Sequence, residues 1–325
     1  MNKDIMKISV IAIFYKSAGY VRKCVDSILN QKGSFDLELI AVDDCSPDDT
    51  LAILHSYADE RIKILHHEKN AGISAARNTG LKNVTGDAFY FIDGDDFLPE
   101  GALEALSAVF SDDVDWVQGA YAICDETDEL MQVKANPAGR YETHAEIVKN
   151  FDKLEFIYTH NRLVNKRWAS LLFPLGKAHE DRFWNVRAFP DIKRIINISE
   201  VTYNYIAHPS SFSNKSRASR LYLDSAVELM TEMDALDHCW KGTSDTFLIT
   251  AIEKNLYLWK QDSSYKKSVL KKIIKRSLEV SIDVGSFPRF TKMIHTMIVK
   301  GYPDLIIDVF ASLYRGYIGL THKVV

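Results

Sequence analysis

The sequence predicts an α/β domain, a mostly parallel sheet with helices on both faces, followed by an α-helical C-terminal region. Three observations carry this. Between Lys7 and Phe110, short apolar runs alternate with segments whose apolar residues recur at helical spacing. Alternation of this kind implies parallel strands joined by crossover helices. From about Ser213 onward only helical spacing remains, and a polar, serine-rich stretch, PSSFSNKSRAS at 209–219, divides the two regimes as a linker would. The domains are therefore expected at 1–212 and 213–325.

Each element has a local reason. Lys7–Phe14 (KISVIAIF) is a strand by its apolar run. Tyr20–Asn30 is a helix that sets Val21, Cys24, Val25, Ile28 and Leu29 on one face. Leu37–Val42 is a second strand. Asp48–Tyr57 is a helix with Asp48 and Asp49 in its first turn, where carboxylates complement the helix dipole. Arg61–His66 is a third strand, Ile73–Lys82 a helix, Asp87–Ile92 a fourth strand and Glu100–Phe110 another helix. Trp116–Cys124 and Leu130–Lys134 follow as strands, and Ile192–Ile198 and Thr202–Ile206 as a late strand pair. The stretch KAHEDRFWNVRAF, 177–189, reads as less regular. Leu221–Asp237, Thr246–Lys260, Tyr265–Val280 and Lys292–Val299 are helices, punctuated by Gly242, Gly285 and Gly301-Tyr302-Pro303. Leu305–Leu320 is the most apolar helix. Packing on its neighbours is the plain reading; a membrane-surface or dimer contact is the alternative.

Bulk properties narrow the function. A net charge of −4 argues against nucleic acid as the main partner, because phosphate contacts need a basic face. The four cysteines, Cys24, Cys45, Cys124 and Cys239, lie far apart, so neither a zinc spacing nor a disulfide framework is expected. That fits a reducing cytoplasm. The apolar run at 8–14 is short and no small-residue cleavage site follows, so no signal peptide is expected, and no segment reaches bilayer-spanning length.

The chemistry gathers at strand ends. The second strand runs into Asp43-Asp44 and the fourth into Asp93-Gly94-Asp95-Asp96. Parallel strands put both clusters on one edge, where such sheets bind ligands. Two carboxylates roughly 5 Å apart cost about 3 kcal/mol at an effective dielectric of 20, so the cluster needs a cause. Turn chemistry is one. The other is a hard divalent cation, Mg2+ or Mn2+, since oxygen ligands stand here without nearby His or Cys. Such cations keep positions open for substrate phosphates. Neither GxGxxG after the first strand nor GxxxxGK[ST] is present, which disfavours dinucleotide binding and P-loop chemistry. NAGISAARNTG, 70–80, offers a flexible turn and a helix bearing Arg77, a candidate to neutralise a diphosphate.

The ordered set SVIAIFYKSAGYVRKCVDSILNQ, LELIAVDDCSPDDT, NAGISAARNTGL, TGDAFYFIDGDDFL and HEDRFW resembles the motifs of the inverting family 2 glycosyltransferases, which have the GT-A fold, a Rossmann-like mixed sheet that binds nucleotide sugars. The match is strong over 7–111, weak over 112–212, and leaves out the helical tail. The resemblance implies that Tyr15 lies against the uracil ring and that Asp44, with Asp43 beside it, accepts from the base. It implies that Arg77 lies near the diphosphate, that Asp95 reaches the metal, and that Asp93 contacts the ribose or the metal's water, with Asp96 in support. Glu180-Asp181 matches the acidic pair that supplies the catalytic base, usually its second member. A late His or Arg touches metal or phosphates in some related enzymes, which adds His208 to the metal set; a surface-loop histidine is the competing reading. Two departures are Lys16 in the run Ile13-Phe14-Tyr15-Lys16 and Cys45 where the family usually has Gly.

The implied function is transfer of a sugar from a nucleotide-diphosphate donor, a UDP-sugar, to an acceptor hydroxyl with inversion, in cell-surface polysaccharide synthesis at the cytoplasmic face of the membrane. The implied partners are the donor and a glycan or lipid-linked acceptor, with a peripheral membrane contact or homodimer through the helical tail as further expectations. The basic residues of THNRLVNKRW, 159–168, are candidates to hold an anionic lipid diphosphate, against a solvated face. Trp116 and Gln118 approach the crevice if the fifth strand joins the sheet, with packing the default for the tryptophan. The alternatives are a metal-dependent nucleotidyl- or phosphotransferase and a non-catalytic carbohydrate-binding protein on an inactive fold.

Overall fold

The computed structural model describes residues 5–208 except 152, 153, 155 and 157, together with six helical positions between 221 and 233. The chain divides into two compact units, Met1–Ser211 and Phe212–Val325. The helix expected over Leu221–Asp237 is described only at those six positions, and the helices expected from Thr246 to Leu320 lie outside the described residues. No helix among the described residues is long and apolar enough to cross a membrane.

The first unit opens with four strands and the helices between them: β1 (Met6–Phe14), α1 (Val21–Leu29), β2 (Phe35–Asp43), α2 (Thr50–His55), β3 (Ile62–His66), α3 (Ile73–Leu81), β4 (Ala88–Asp93) and α4 (Ala102–Ser107). β1 pairs parallel to both β2 and β4, and β2 pairs parallel to β3. The central strands read as unbroken apolar runs because they are covered on both faces. On one side Ile8, Val10, Ala12 and Phe14 join Val21, Cys24, Val25 and Ile28 of α1 and Leu103 and Leu106 of α4 in the main core cluster. On the other, α3 lies so close that a Cβ on Gly80 would stand 2.2 Å from the Ile11 side chain. The helix expected to begin at Asp48 begins at Thr50. Asp48 instead braces the loop before it, accepting from the Thr50 hydroxyl at 2.6 Å and the Ala18 amide at 3.2 Å.

The second half turns the parallel arrangement of the first four strands into the mixed sheet that the family resemblance implies. β5 (Trp116–Cys124), β6 (Leu130–Lys134), β7 (Gly139–Tyr141), α5 (His144–Lys149), β8 (Arg162–Asn165), α6 (Glu180–Ala188) and β9 (Ile195–Ile206) complete the order. The nine described strands form one sheet in the order β3-β2-β1-β4-β8-β5-β9-β7, with β6 on β5. β8 enters antiparallel between β4 and β5, so the sheet is mixed. The late strand pair is one strand, β9, parallel to β5 with a register shift between Gln118 and Tyr121. A Cβ on Gly119 would meet the Thr202 hydroxyl at 2.2 Å and the Glu200 carbonyl at 2.9 Å, so the extra residues bulge over a glycine. The gap left between the two expected strands, with polar Ser199 and Glu200, is that bulge. The less regular stretch 177–189 contains α6.

One buried carboxylate ties this half together. Asp115 is fully buried, and its Oδ1 accepts from Arg167 Nε at 3.1 Å and Trp168 Nε1 at 2.8 Å. Its Oδ2 accepts from the amides of Lys193 at 2.7 Å and Arg194 at 2.9 Å. The turn after β8 and the entry to β9 therefore hang on one side chain. Asp115→Ala leaves buried donors unpaired and should lower the free energy of unfolding by about 3 kcal/mol in urea denaturation. A loss below about 1 kcal/mol would show that the two segments are held by apolar packing alone.

Candidate active site

Register brings the two acid clusters together. Phe14 of β1 stands opposite Asp43, and Ile13 opposite Asp93, so both clusters emerge on the C-terminal edge of the sheet. The loops after β1 and β2 are laced to each other: Lys16 N donates to Ser46 Oγ at 3.1 Å and Ser17 N to Thr50 Oγ1 at 2.9 Å. Each loop holds a non-glycine residue in the left-handed region, Lys16 at φ 57° and Cys45 at φ 59°. The second explains a glycine preference at that position. Tyr15 projects from this frame, 44 % exposed, with the Lys16 ammonium 5.3 Å from its ring centroid.

The Asp43-Asp44 pair divides its work differently from the expectation. Asp44 is buried and both its oxygens face the loop at 70–72, accepting from the amides of Ala71 and Gly72 at 2.8 Å each, while His67 Nδ1 lies 2.7 Å from Oδ1. Its carboxylate is thus occupied in holding the loop that leads into α3. Asp43 Oδ2 takes the Ser46 amide at 3.1 Å and His66 Nδ1 at 2.8 Å, but Oδ1 is buried without a hydrogen-bond partner. Of the two, Asp43 holds the unsatisfied acceptor, but with no exposed surface it does not open onto the crevice.

After β4 the turn sorts its three aspartates by environment. Asp96 is buried, accepting from the Tyr203 hydroxyl and from the Ile206 amide at 2.8 Å. Burial, then the charges of Asp95 and Asp93, push its carboxyl far above the usual carboxylate range. It fastens the turn to β9 and does not face a ligand. Burial, then Asp93, also raises Asp95, which remains 46 % exposed at its side chain. Gly94 is required by contact: a Cβ there would stand 2.6 Å from the Ile13 carbonyl and 2.4 Å from the Phe14 ring.

Arg77 is not aimed at an open crevice, as expected for a diphosphate contact. It is 2 % exposed and lies among three carboxylates: Nη2 is 3.2 Å from Asp93 Oδ1, and Nη1 is 2.8 Å from Glu180 Oε1 and 2.6 Å from Asp181 Oδ1. Its guanidinium lies 5.3 Å from the Phe173 ring centroid and 5.9 Å from that of Phe91, which excludes water from the cluster. Glu180 and Asp181 open α6, behind His179 at φ 62°. Burial, then Asp181, raises the Glu180 carboxyl to about 7, against the pull of Arg77.

Among the described residues no group of three His, Cys, Asp or Glu side chains converges on a metal position. The donor chemistry nevertheless suits an open site. Asp93 and Asp95 are partly exposed oxygen donors on one turn, and Mg2+ or Mn2+ held by one or two carboxylates takes its other ligands from water and phosphates. His208 Nε2 is 3.9 Å from Asp95 Oδ2, and its Nδ1 is 3.2 Å from Glu126 Oε1, so it lies beside the turn and is buried rather than a surface-loop residue. The basic residues of 159–168 are committed to the fold: Arg162 is buried on Trp116 and Gln118, Lys166 Nζ donates to the Thr85 carbonyl and Arg167 pairs with Asp115. Trp116 is fully buried packing, and Gln118 serves Arg162. Sequence reading gave no individual role to Thr159, His160 and Tyr203. Thr159 Oγ1 lies 2.7 Å from Asp181 Oδ1, and His160 stacks between Tyr158 and Tyr203 at 4.9 and 4.6 Å. No motif or periodicity marks them.

The raised Glu180 carboxyl has a sign that experiment can read. A carboxyl lifted from 4.5 to about 7 contributes stability in full below its unfolded value and loses it as pH climbs through about 7. Glu180→Gln is neutral at every pH. Its melting temperature should therefore rise relative to the unsubstituted protein between about pH 5 and about pH 8. A constant difference would show that Glu180 ionises normally.

Known proteins share this sequence and this frame. Residues 9–173 match Glycosyl transferase family 2. The chain is 30 % identical to glycosyltransferase GlyA of Streptococcus pneumoniae over 70 % of its own length and 34 % of that protein. It is 30 % identical to the uncharacterized glycosyltransferase EpsJ of Bacillus subtilis over 63 % of its own length and 62 % of that one. The chain thus spans about a third of the first relative and under two thirds of the second. Among solved structures, residues 1–349 of S. aureus TarS in complex with UDP-GlcNAc superpose with a TM-score of 0.69 at 18 % identity, covering 97 % of this chain and 92 % of that fragment, a likeness of fold that agrees with the expected GT-A architecture. By its sequence match over more than half its length, the chain belongs to glycosyl transferase family 2.

Proposed function

We propose that the protein transfers a sugar from a UDP-sugar to an acceptor hydroxyl with inversion at the anomeric carbon, in the synthesis of a cell-surface polysaccharide. One observation carries the reading: Arg77 draws the Glu180-Asp181 pair and the turn carboxylate Asp93 into one cluster, beside the partly exposed Asp95. A donor-side metal turn and a second carboxylate pair within one cluster are what a displacement at a sugar carbon needs. The complex of TarS with UDP-GlcNAc supports a uridine donor.

In this reading Tyr15 lies along the base, and the Asp43-Asp44 pair shapes the base end of the site through the loops it holds. Asp95 and Asp93 would hold Mg2+ or Mn2+, which would supply Lewis-acid relief of the charge growing on a departing diphosphate. Asp181 takes the proton from the acceptor hydroxyl as its oxygen bonds to the anomeric carbon and the bond to the diphosphate breaks. Arg77 holds Asp181 in place. The acceptor is a glycan or a lipid-linked glycan, met at the cytoplasmic face of the membrane.

The test is UDP release from a panel of UDP-sugars with Mn2+ or Mg2+, with and without glycan acceptors. Asp181→Asn should lower turnover by about 10³-fold while donor affinity stays nearly unchanged. Near-normal turnover would remove Asp181 from the base role, and pyrophosphate release in place of UDP would favour a nucleotidyltransferase. Asp95→Ala should abolish the metal-dependent thermal shift produced by UDP. Without metal it should melt at or slightly above the parent temperature, because it relieves the repulsion with Asp93. A UDP shift that persists in Asp95→Ala would move the metal elsewhere.

A further inference from the structure

Both hydrogen bonds to Asp181 fall on one oxygen. Thr159 Oγ1 lies 2.7 Å from Oδ1, and Arg77 Nη1 lies 2.6 Å from the same atom. Oδ2 accepts no hydrogen bond from any described residue, and the side chain keeps 15 % of its surface exposed. A free carboxylate turns broadly about its last torsion and commits neither oxygen. Arg77 alone does not settle the matter, since its Nη1 is shared with Glu180 and its Nη2 goes to Asp93. Thr159 supplies a separate, neutral donor from a different segment.

That segment is well anchored. Thr159 is 2 % exposed. The preceding Tyr158 carbonyl accepts from Asn185 Nδ2 of α6 at 3.3 Å, so the donor and the helix bearing its acceptor are tied together. Two residues on, Asn161 Nδ2 donates to the Gly119 carbonyl at 2.6 Å, and Asn161 Oδ1 accepts from the Thr202 hydroxyl. The hydroxyl is thereby fixed between β5 and α6.

We infer that Thr159 is a positioning residue that pins Oδ1 of Asp181, so that Oδ2 is the oxygen presented to the acceptor hydroxyl. This rests on the glycosyl-transfer reading and adds to it the identity of the oxygen that takes the proton and the side chain that orients it. The charged and titratable neighbours Arg77, Glu180 and His160 are the same in every variant below.

Thr159→Val keeps the shape and removes the donor; Thr159→Ser keeps the donor. With UDP release as readout, Thr159→Val should lower kcat about ten-fold and leave the donor KM within about two-fold. Thr159→Ser should restore kcat. A second measurement needs no turnover: in protein labelled with 13C at aspartate carboxyls, the Asp181 signal, identified by its loss in Asp181→Asn, should move at fixed pH in Thr159→Val and return in Thr159→Ser. Unchanged kcat and an unmoved Asp181 signal in Thr159→Val overturn the inference. If the unsubstituted protein releases no UDP, or Asp181→Asn is fully active, the glycosyltransferase reading falls instead, and the NMR signal still decides whether Thr159 holds this carboxylate.

Discussion

A single buried cation governs the arrangement of the site. Moving a guanidinium out of water is costly, and it is tolerated only where carboxylates surround it with good geometry. Arg77 meets that condition through Asp93 on β4 and Glu180 and Asp181 on α6. Remove the cation and three acids from two separate elements repel across a water-poor space. With it, the first turn of α6 is drawn onto the edge of the sheet. The local sum is still negative by two when all three acids are ionised, three less one. The raised carboxyl of Glu180 is the protein's own partial relief of that excess.

Around this pair the rest of the edge is built from backbone held by side chains. Asp44 spends its carboxylate on two amides of the loop before α3, the helix that delivers Arg77. Asp96 spends its own on the end of β9. Each acid cluster therefore contains a member that faces inward and fixes a loop, and a neighbour left partly unsatisfied. Clustering of aspartates at the strand ends is as much a way to position loops as a way to gather negative charge.

Much of this was legible in the residues, for physical reasons. Strands covered on both faces announce themselves as unbroken apolar runs, so β1, β2 and β4 are found within a residue or two at most ends. Trp116–Cys124 and Leu130–Lys134 coincide with their strands. Parallel pairing then puts both acid clusters on one edge by geometry alone. What failed to show was whatever depends on long-range pairing. β8 is four residues with a buried arginine, too short and too polar for any period. α6 carries Glu180, Asp181, Arg182, Asn185 and Arg187 among its apolar positions, which blurs a helical stripe. The partners of Arg77 stand 103 and 104 positions away, beyond any local pattern, so its burial was invisible and its charge looked free. The commitment of Asp44 depends on a loop 27 residues downstream.

The glycine in the turn after β4 has a further meaning. Because a single added carbon would collide with the carbonyl of Ile13 and the ring of Phe14, the turn bearing Asp93 and Asp95 rests directly on the central strand with no side chain between them. It cannot slide or tilt unless the middle of the sheet moves as well. The turn that carries Asp93 and Asp95 thus inherits the rigidity of the most buried part of the molecule. A substitution at Gly94 would therefore be felt first in the central strand and only through it at the two aspartates, so this turn is seated on the sheet as an anvil on its block.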